Sequence, residues 1–374
     1  MHIYYFDNSA TTKIKDEVLK EMLPFLTIEY GNPSSIYTIG RTAKKAIEAS
    51  REKVANLIGA DKKEIYFTSG GSESDNTAIK GIANALNDKG KHVITCKIEH
   101  PAILDSCKTL EKQGYKITYI NVDSEGKVKL EELANSITDD TILISIMLAN
   151  NEIGTIQDVE KISQIAHSKN ILFHTDAVQA VGNMKIDVNK MGIDLLSLSG
   201  HKIYGPKGIG ALYAKKGILF EKFINGGHQE KNKRAGTENV AGIVGLGKAC
   251  ELANKNLEKH IRYVQELRDY YFSEIQKHFK NIKINGSQID RLPCNANISF
   301  EGVNVQELLF KLDSVGICAS SGSACSSGDS NPSHVLTAIG LDSNLAKGAL
   351  RVTFGDFNSK EDVDYLVKNL IDFI

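Results

Sequence analysis

Cys325 lies in the run Ser320-Ser321-Gly322-Ser323-Ala324-Cys325-Ser326-Ser327-Gly328, with Asp329-Ser330-Asn331-Pro332 directly after it. Such a segment has no large apolar side chain to bury, so it is predicted as a surface loop. A core-filling cysteine more often has Val, Ile, Leu or Phe beside it. The segment therefore reads as a polar linker or as a nucleophile on a flexible arm. Lys202, in Ser199-Gly200-His201-Lys202, follows the strand-like run Asp194-Leu195-Leu196-Ser197-Leu198. A lysine at a strand end among small residues suits a Schiff base with an aldehyde cofactor, although most single lysines are solvated surface groups. Asp176, in His174-Thr175-Asp176-Ala177-Val178-Gln179, ends another strand. Its carboxylate can hold a protonated pyridine nitrogen, which keeps pyridoxal phosphate a strong electron sink, or it can cap the next helix.

Thr68-Ser69-Gly70-Gly71-Ser72-Glu73-Ser74 joins a strand to a helix. Glycines there allow close backbone approach, the helix start offers N–H donors to phosphate, and Ser72 adds a hydroxyl; a plain helix cap is the alternative. The run lacks the Gly-Lys-Ser/Thr of a nucleotide P-loop. His100, after the strand His92–Cys96, can stack on a flat ring and move protons near neutral pH. Asn151, in Asn150-Asn151-Glu152-Ile153-Gly154, can donate its amide to cofactor or substrate. Thr237 lies in the polar loop Arg234-Ala235-Gly236-Thr237, which can help hold phosphate, and Arg351 can grip a substrate carboxylate or form an inter-domain ion pair. No His pattern supports zinc hydrolysis. Each site alone is weak, but together they supply every part of a pyridoxal phosphate site.

The elements that must position these residues alternate. Strands are predicted at Glu64–Thr68, His92–Cys96, Lys116–Ile120, Thr141–Leu148, Ile171–Thr175, Leu195–Leu198 and Gly210–Tyr213. Helices are predicted at Asp16 to about Phe25, Thr42–Ile58, Glu73–Ala85, Ala102–Gln113, Val159–Lys169 and in a long stretch after Val240. Buried apolar strands alternating with helices specify an α/β sheet, mainly parallel and seven-stranded, covered on both faces. Beyond about residue 262 the pattern changes to strands Asn297–Phe300, Ile317–Ala319 and Leu350–Thr353 with helices Val305–Val315, Ser333–Ile339 and Lys360–Ile374. The expected division is a large cofactor-binding domain at 15–262 and a smaller α+β domain from 1–14 plus 263–374, the latter carrying the cysteine loop.

With 374 residues, 41% hydrophobic and 24% charged, the chain has the composition of a soluble two-domain protein. A formal net charge of −1 offers no global field for nucleic acid or an anionic membrane, so neither is an expected partner. The N-terminus lacks the pattern of a signal peptide and no apolar run is long enough to span a bilayer. Six cysteines without a CxxC pair argue against a disulfide framework, and a cytoplasmic enzyme is expected.

In the segments Asp7-Asn8-Ser9-Ala10-Thr11-Thr12, Gly31-Asn32-Pro33-Ser34-Ser35, Phe67 to Asn76, Asn150 to Gly154, Ser199 to Gly208 and Ser321 to Cys325, the chain resembles the pyridoxal-phosphate cysteine desulfurases of the NifS/IscS type. These belong to the class V aminotransferase family of fold type I. The resemblance runs over essentially the whole chain. It implies that Lys202 carries the cofactor, that His100 stacks over the ring, and that Asp176 pairs with the pyridine nitrogen. It also implies that Gln179 and Asn151 address the ring oxygen and the amine linkage, and that Gly71, Ser72, Ser199 and His201 hold the phosphate. Thr237 would add a phosphate contact across a homodimer interface, Arg351 would hold the substrate carboxylate, and Cys325 would accept sulfur from L-cysteine as a persulfide, leaving L-alanine. The persulfide would pass to an acceptor protein, such as a scaffold for iron–sulfur clusters or a tRNA-thiolation protein. A selenocysteine lyase or an aminotransferase of the same fold is the alternative. Ser72 stands where the family more often has threonine, and Asp356 where it usually has a basic residue. The long loop from Ser320 to Pro332 resembles the group with a mobile catalytic arm.

Overall fold

The computed structural model describes residues 2–322 and 333–374, so Cys325 lies outside the described residues. Strands Val93, Leu143, Leu195 and Leu212 turn one side chain to helices Gly71–Ala85 and Pro101–Lys112. Their neighbours Ile94, Ile144, Leu196 and Tyr213 turn the other way, into a core shared with helices Thr38–Ile58 and Val159–His167. Strands buried on both faces need no polar alternation, which is why they read as unbroken apolar runs.

Seven strands form the main sheet, in the spatial order Ile65–Thr68, Gly210–Ala214, Leu195–Ser199, Leu172–Asp176, Thr141–Ser145, His92–Cys96 and Lys116–Ile120. Only Gly210–Ala214 runs antiparallel to its neighbours. The chain moves outward from His92–Cys96 to Lys116–Ile120, then returns to the other side of His92–Cys96 and proceeds the opposite way. Such a reversal opens a crevice beyond the carboxyl ends of the strands. Loops carrying His100, Asn151, Asp176 and Lys202 all leave from that edge, and the helix starting at Gly71 follows Thr68 on the same edge.

A second, three-stranded antiparallel sheet places Asn295–Phe300 between Ala349–Thr353 and Ile282–Ile284, with Arg351 opposite Asn297. Strand Tyr4–Tyr5 pairs with Ile317–Cys318, and Asp7 bridges to Thr353. One continuous helix, Val240–His278, runs across residue 262, where the expected division falls. The predicted strand Thr141–Leu148 is regular only to Ser145; beyond it the chain follows the adjacent strand end through Ile146 N–H to His174 O and Leu148 N–H to Asp176 O. Helix Thr38–Ile58 begins four residues before its predicted start, because Thr38-Ile39-Gly40-Arg41 shows no apolar periodicity. No helix among the described residues is long and apolar enough to cross a membrane.

Candidate active site

Strand Leu195–Ser199 runs straight into a single tight turn, Gly200–Lys202, which lifts Lys202 off the sheet edge. Tyr204, two residues on, takes a left-handed backbone conformation with φ of 63°. Such a conformation is costly for a bulky residue, of order 1–3 kcal/mol, and persists only where its surroundings impose it. Here Thr12 Oγ1 accepts the Tyr204 N–H at 2.7 Å, and the Tyr204 hydroxyl accepts the Asp356 N–H at 2.8 Å. The Lys202 amine donates to the backbone carbonyls of Ser9 and Ala10, the latter at 2.9 Å. Gln179 Nε2 donates to the same Ser9 carbonyl at 2.9 Å. Ser9 and Ala10 were quoted from the sequence without a role; a backbone carbonyl leaves no side-chain signature.

An open cleft of about 790 Å³ gathers most of the residues expected from the sequence. Gly71, Ser72, Ser199 and His201 line one end, and Lys202, Gln179, Asp176, His100, Asn151 and Arg351 line the remainder. That end continues to the surface past Ser69, Gly70, Lys207 and Gly208. Gly71 opens its helix, and a Cβ there would sit 2.6 Å from Val178 Cγ2, so only glycine lets the helix start pack this closely against the Asp176–Gln179 loop. The first turn of that helix leaves N–H groups without intrahelical acceptors, a natural seat for phosphate. His201 is held neutral near this seat: burial first, then the charges of Lys202 and Lys207, push it down to about 4.

At the other end Asp176 is 6% exposed and its Oδ1 accepts the Val178 N–H at 2.9 Å. Burial raises its carboxyl, opposed by His100, the Val178 N–H and Lys202. His100 caps helix Pro101–Lys112, its Nδ1 accepting the Ala102 N–H at 3.1 Å. That bond assigns the neutral ring's proton to Nε2, and burial lowers the pKa of the ring. Asp75, to which the sequence assigns no role, also lines the cleft, and its buried Oδ1 has no hydrogen-bond partner. Arg351 is 1% exposed; Nη2 donates to Asp7 Oδ1 at 2.7 Å and Nη1 to the Asn151 carbonyl at 3.1 Å, while the buried Nε has no partner. The inter-domain and substrate roles expected of it are thus compatible in one side chain.

Thr237 does not line its own chain's cleft; it is exposed on a loop anchored from below. Arg51 grips Glu230 through two bonds of 2.7 and 2.8 Å, both side chains buried, and Glu230 also accepts the Phe67 N–H at 2.8 Å. Arg234, nearer Thr237, pairs with Glu73 at 3.0 Å. Removing one member of a buried pair strands the other, so Glu230→Ala is expected to lower the unfolding free energy by about 3–5 kcal/mol. Urea denaturation checks this, and a loss below about 1 kcal/mol would contradict a buried pair.

Asp356 joins Lys15 at 2.5 Å and His260 at 2.5 Å, and His260 Nε2 meets Asn183 Oδ1 at 3.1 Å. Its acidic side chain therefore ties the smaller unit to the long helix and to the first helix, which a basic residue at this place would not do. Burial pushes the carboxyl up, but the His260 bond and charge and the Lys15 bond and charge outweigh it, holding it at about 2. A depressed carboxyl stabilises the fold above its unfolded pKa of about 3.9 and loses that contribution as pH falls through about 2. Because the pair is partly exposed, the effect is about 1–2 kcal/mol. Asp356→Asn is expected to be less stable than the parent at neutral pH, and that gap is expected to close as pH falls from about 4 to about 2, as read by thermal unfolding. A gap that stays constant across that window would contradict the ion pair.

The model of the family described as aminotransferase class-V matches residues 4–366. The chain belongs to the class V aminotransferase family. It is 53% identical over 368 residues to a protein of Clostridium botulinum named cysteine desulfurase IscS, covering 98% of this chain and 93% of the relative. A solved NifS-like protein superposes with a TM-score of 0.93 at 39% identity, covering 99% of both chains. Another solved structure, SspA in complex with cysteine, has a TM-score of 0.83 at 37% identity, covering 95% of this chain and 99% of that one. With this family the chain shares the fold of the NifS-like proteins and dependence on pyridoxal phosphate. The N–H donors of the Gly71 helix start, the amine at a strand end and the buried carboxylates in the same cleft fit that cofactor's phosphate, aldehyde and ring nitrogen.

Proposed function

We propose that L-cysteine binds in this cleft, that Cys325 takes its sulfur as a persulfide, and that L-alanine is released. The chain is a cysteine desulfurase; the observation that carries this reading is the convergence of Lys202, Asp176, His100 and the Gly71 helix start on one cleft at the carboxyl edge of the sheet. Pyridoxal phosphate, when bound, supplies the electron sink that labilises bonds at the substrate's α-carbon. Lys202 and Asp176 would hold its aldehyde carbon and its ring nitrogen, and Gly71, Ser72, Ser199 and His201 its phosphate. Gln179 and Asn151 would address the ring oxygen and the amine. His100, with its proton on Nε2, would stack on the ring. Lys202 removes the α-proton, and Arg351, with its unpartnered Nε, holds the substrate carboxylate.

Sulfur transfer then needs a thiolate. The Cys325 sulfur attacks the substrate sulfur; an S–S bond forms, the C–S bond breaks, its electron pair stays on carbon, and carbon takes up a proton. The described cysteines are poor candidates. Burial pushes the thiols of Cys107, Cys250 and Cys294 up to about 12 and that of Cys96 well above the ordinary range; Cys318 is raised by burial and by Asp313 and Asp7. Ser320 exchanges backbone hydrogen bonds with Arg351, and Ser333, on the far side of the segment, donates to Glu152 Oε2 at 2.5 Å. Both flanks of the cysteine segment are thus tied beside Arg351 and Asn151.

The enzyme acts as a homodimer in which Thr237 reaches the partner's phosphate seat; the exposed position of Thr237 beside Arg234 and Glu73 supports this. We place it in the cytoplasm, handing sulfur to an acceptor protein such as an iron–sulfur scaffold. With L-cysteine and a reductant, alanine and sulfide are expected in equal amounts. Formation of a keto acid in place of alanine would favour an aminotransferase, and inertness toward L-cysteine with turnover of selenocysteine would favour a lyase.

A further inference from the structure

Asp75 sits one turn beyond Gly71 on the helix that faces the cofactor cleft, 1% exposed, with Oδ1 lacking any hydrogen-bond partner. A carboxylate at such a place in a helix is ordinarily solvated; here the sheet lies beneath it. Its oxygen, an oxygen of Asp176 and a ring nitrogen of His100 all lie within 4.8 Å of one another. From the sheet, His174 Nε2 stands 3.8 Å from Asp75 Oδ1, and the Ser197 hydroxyl bonds the carboxyl. Glu99 lies near enough to repel, and Lys202 faces Asp176 across the cleft.

Two carboxylates this close in a dry site do not both ionise; one keeps a proton. Their surroundings decide which. Asp176 takes a backbone N–H and faces Lys202 and His100, all of which favour its anion. Asp75 has only the Ser197 hydroxyl to favour its anion. His174 is neutral, pushed down to about 3 by burial, with Nδ1 on Ser145 Oγ at 2.8 Å and Nε2 on Ser197 Oγ at 3.0 Å. Burial, then the charge of Asp176, drives the Asp75 carboxyl well above the usual range, and Glu99 adds to it.

We propose that Asp75 is a positioning residue that stays a neutral carboxylic acid in the loaded enzyme and so confines the pair's negative charge to Asp176, where the pyridine nitrogen is held. This rests on the reading of the cleft as the pyridoxal phosphate site. A charge fixed on one oxygen pair, beside the ring nitrogen, keeps that nitrogen protonated without a second anion competing for the proton.

Infrared spectra of the holoenzyme test this, with the aspartate carboxyl isotope-labelled. At neutral pH a label-sensitive carboxylic-acid carbonyl band is expected, and it is expected to vanish in Asp75→Asn. Glu99, which burial pushes up to about 8, gives an acid band that the aspartate label does not move. The pH midpoint of the bound cofactor's visible band is expected to be the same in Asp75→Asn as in the parent, because a neutral group replaces a neutral group. Removal of an anion so close would instead move it by about 1–3 units. Absence of the label-sensitive band in the parent holoenzyme overturns the proposal, and so does a midpoint shifted by a unit or more. The labelled parent decides the matter even where the variant does not fold. A chain that takes up no pyridoxal phosphate, and so shows no visible band at all, contradicts the reading of the cleft itself.

Discussion

Replacing Lys202 with alanine is expected to lower alanine formation from L-cysteine by at least about 10³-fold while leaving the fold intact. The residue stands on a turn outside the strand, half-buried, and its amine donates to the backbone carbonyls of Ser9 and Ala10. Its loss therefore opens no core cavity. The phosphate seat at Gly71, Ser72 and His201 and the carboxylate of Asp176 remain, so the cofactor is expected to bind without a covalent link and to be lost on dialysis. Lys202→Arg is expected to be equally inactive, because a guanidinium stays protonated and cannot serve as the amine. Steady-state assays, with absorbance of the dialysed protein, check both points. Turnover within tenfold of the parent in either variant would remove Lys202 from the chemistry.

The second large effect is that of Cys325→Ser. A hydroxyl is a far weaker nucleophile than a thiolate toward sulfur, and the change is small and polar in a run of small polar residues. Alanine formation is expected to fall by at least about 10²-fold. The visible spectrum of the bound cofactor is nevertheless expected to change when L-cysteine is added, since Lys202, Asp176 and Arg351 are intact. That split between binding and turnover separates loss of the acceptor from loss of the site. Unchanged turnover would mean that sulfur leaves without an enzyme thiol, as an aminotransferase or lyase of the same fold would allow.

Much of this arrangement was legible because it rests on patterns that burial imposes. Strands covered on both faces must be largely apolar, so His92–Cys96 was read with its observed limits and Leu195–Ser199 and Gly210–Ala214 to within one residue. Active residues placed at strand ends then share the carboxyl edge by topology alone. What the sequence concealed lies in groups without a local signature. The Ser9 and Ala10 carbonyls that hold Lys202 are backbone atoms, brought in by a segment some 190 residues away. Asp75 reads as one more polar residue of a helix start until the sheet is packed beneath it. Asp7 becomes the partner of Arg351 only when the N-terminal residues join the small unit. Asp356 departs from the family's usual basic residue, and only the positions of Lys15 and His260 show why an acid is suited there.

The central claim is that sulfur from L-cysteine comes to rest on Cys325, and the most direct test is the mass of the peptide that carries it. The parent holoenzyme is mixed with one equivalent of L-cysteine, alkylated and digested. The account predicts that the Cys325 peptide gains one sulfur atom in an amount equal to the alanine formed, while peptides with the buried Cys96, Cys107, Cys250 and Cys294 gain none. Alanine formed with no added sulfur on Cys325, or with the sulfur on the partly exposed Cys318, would contradict it.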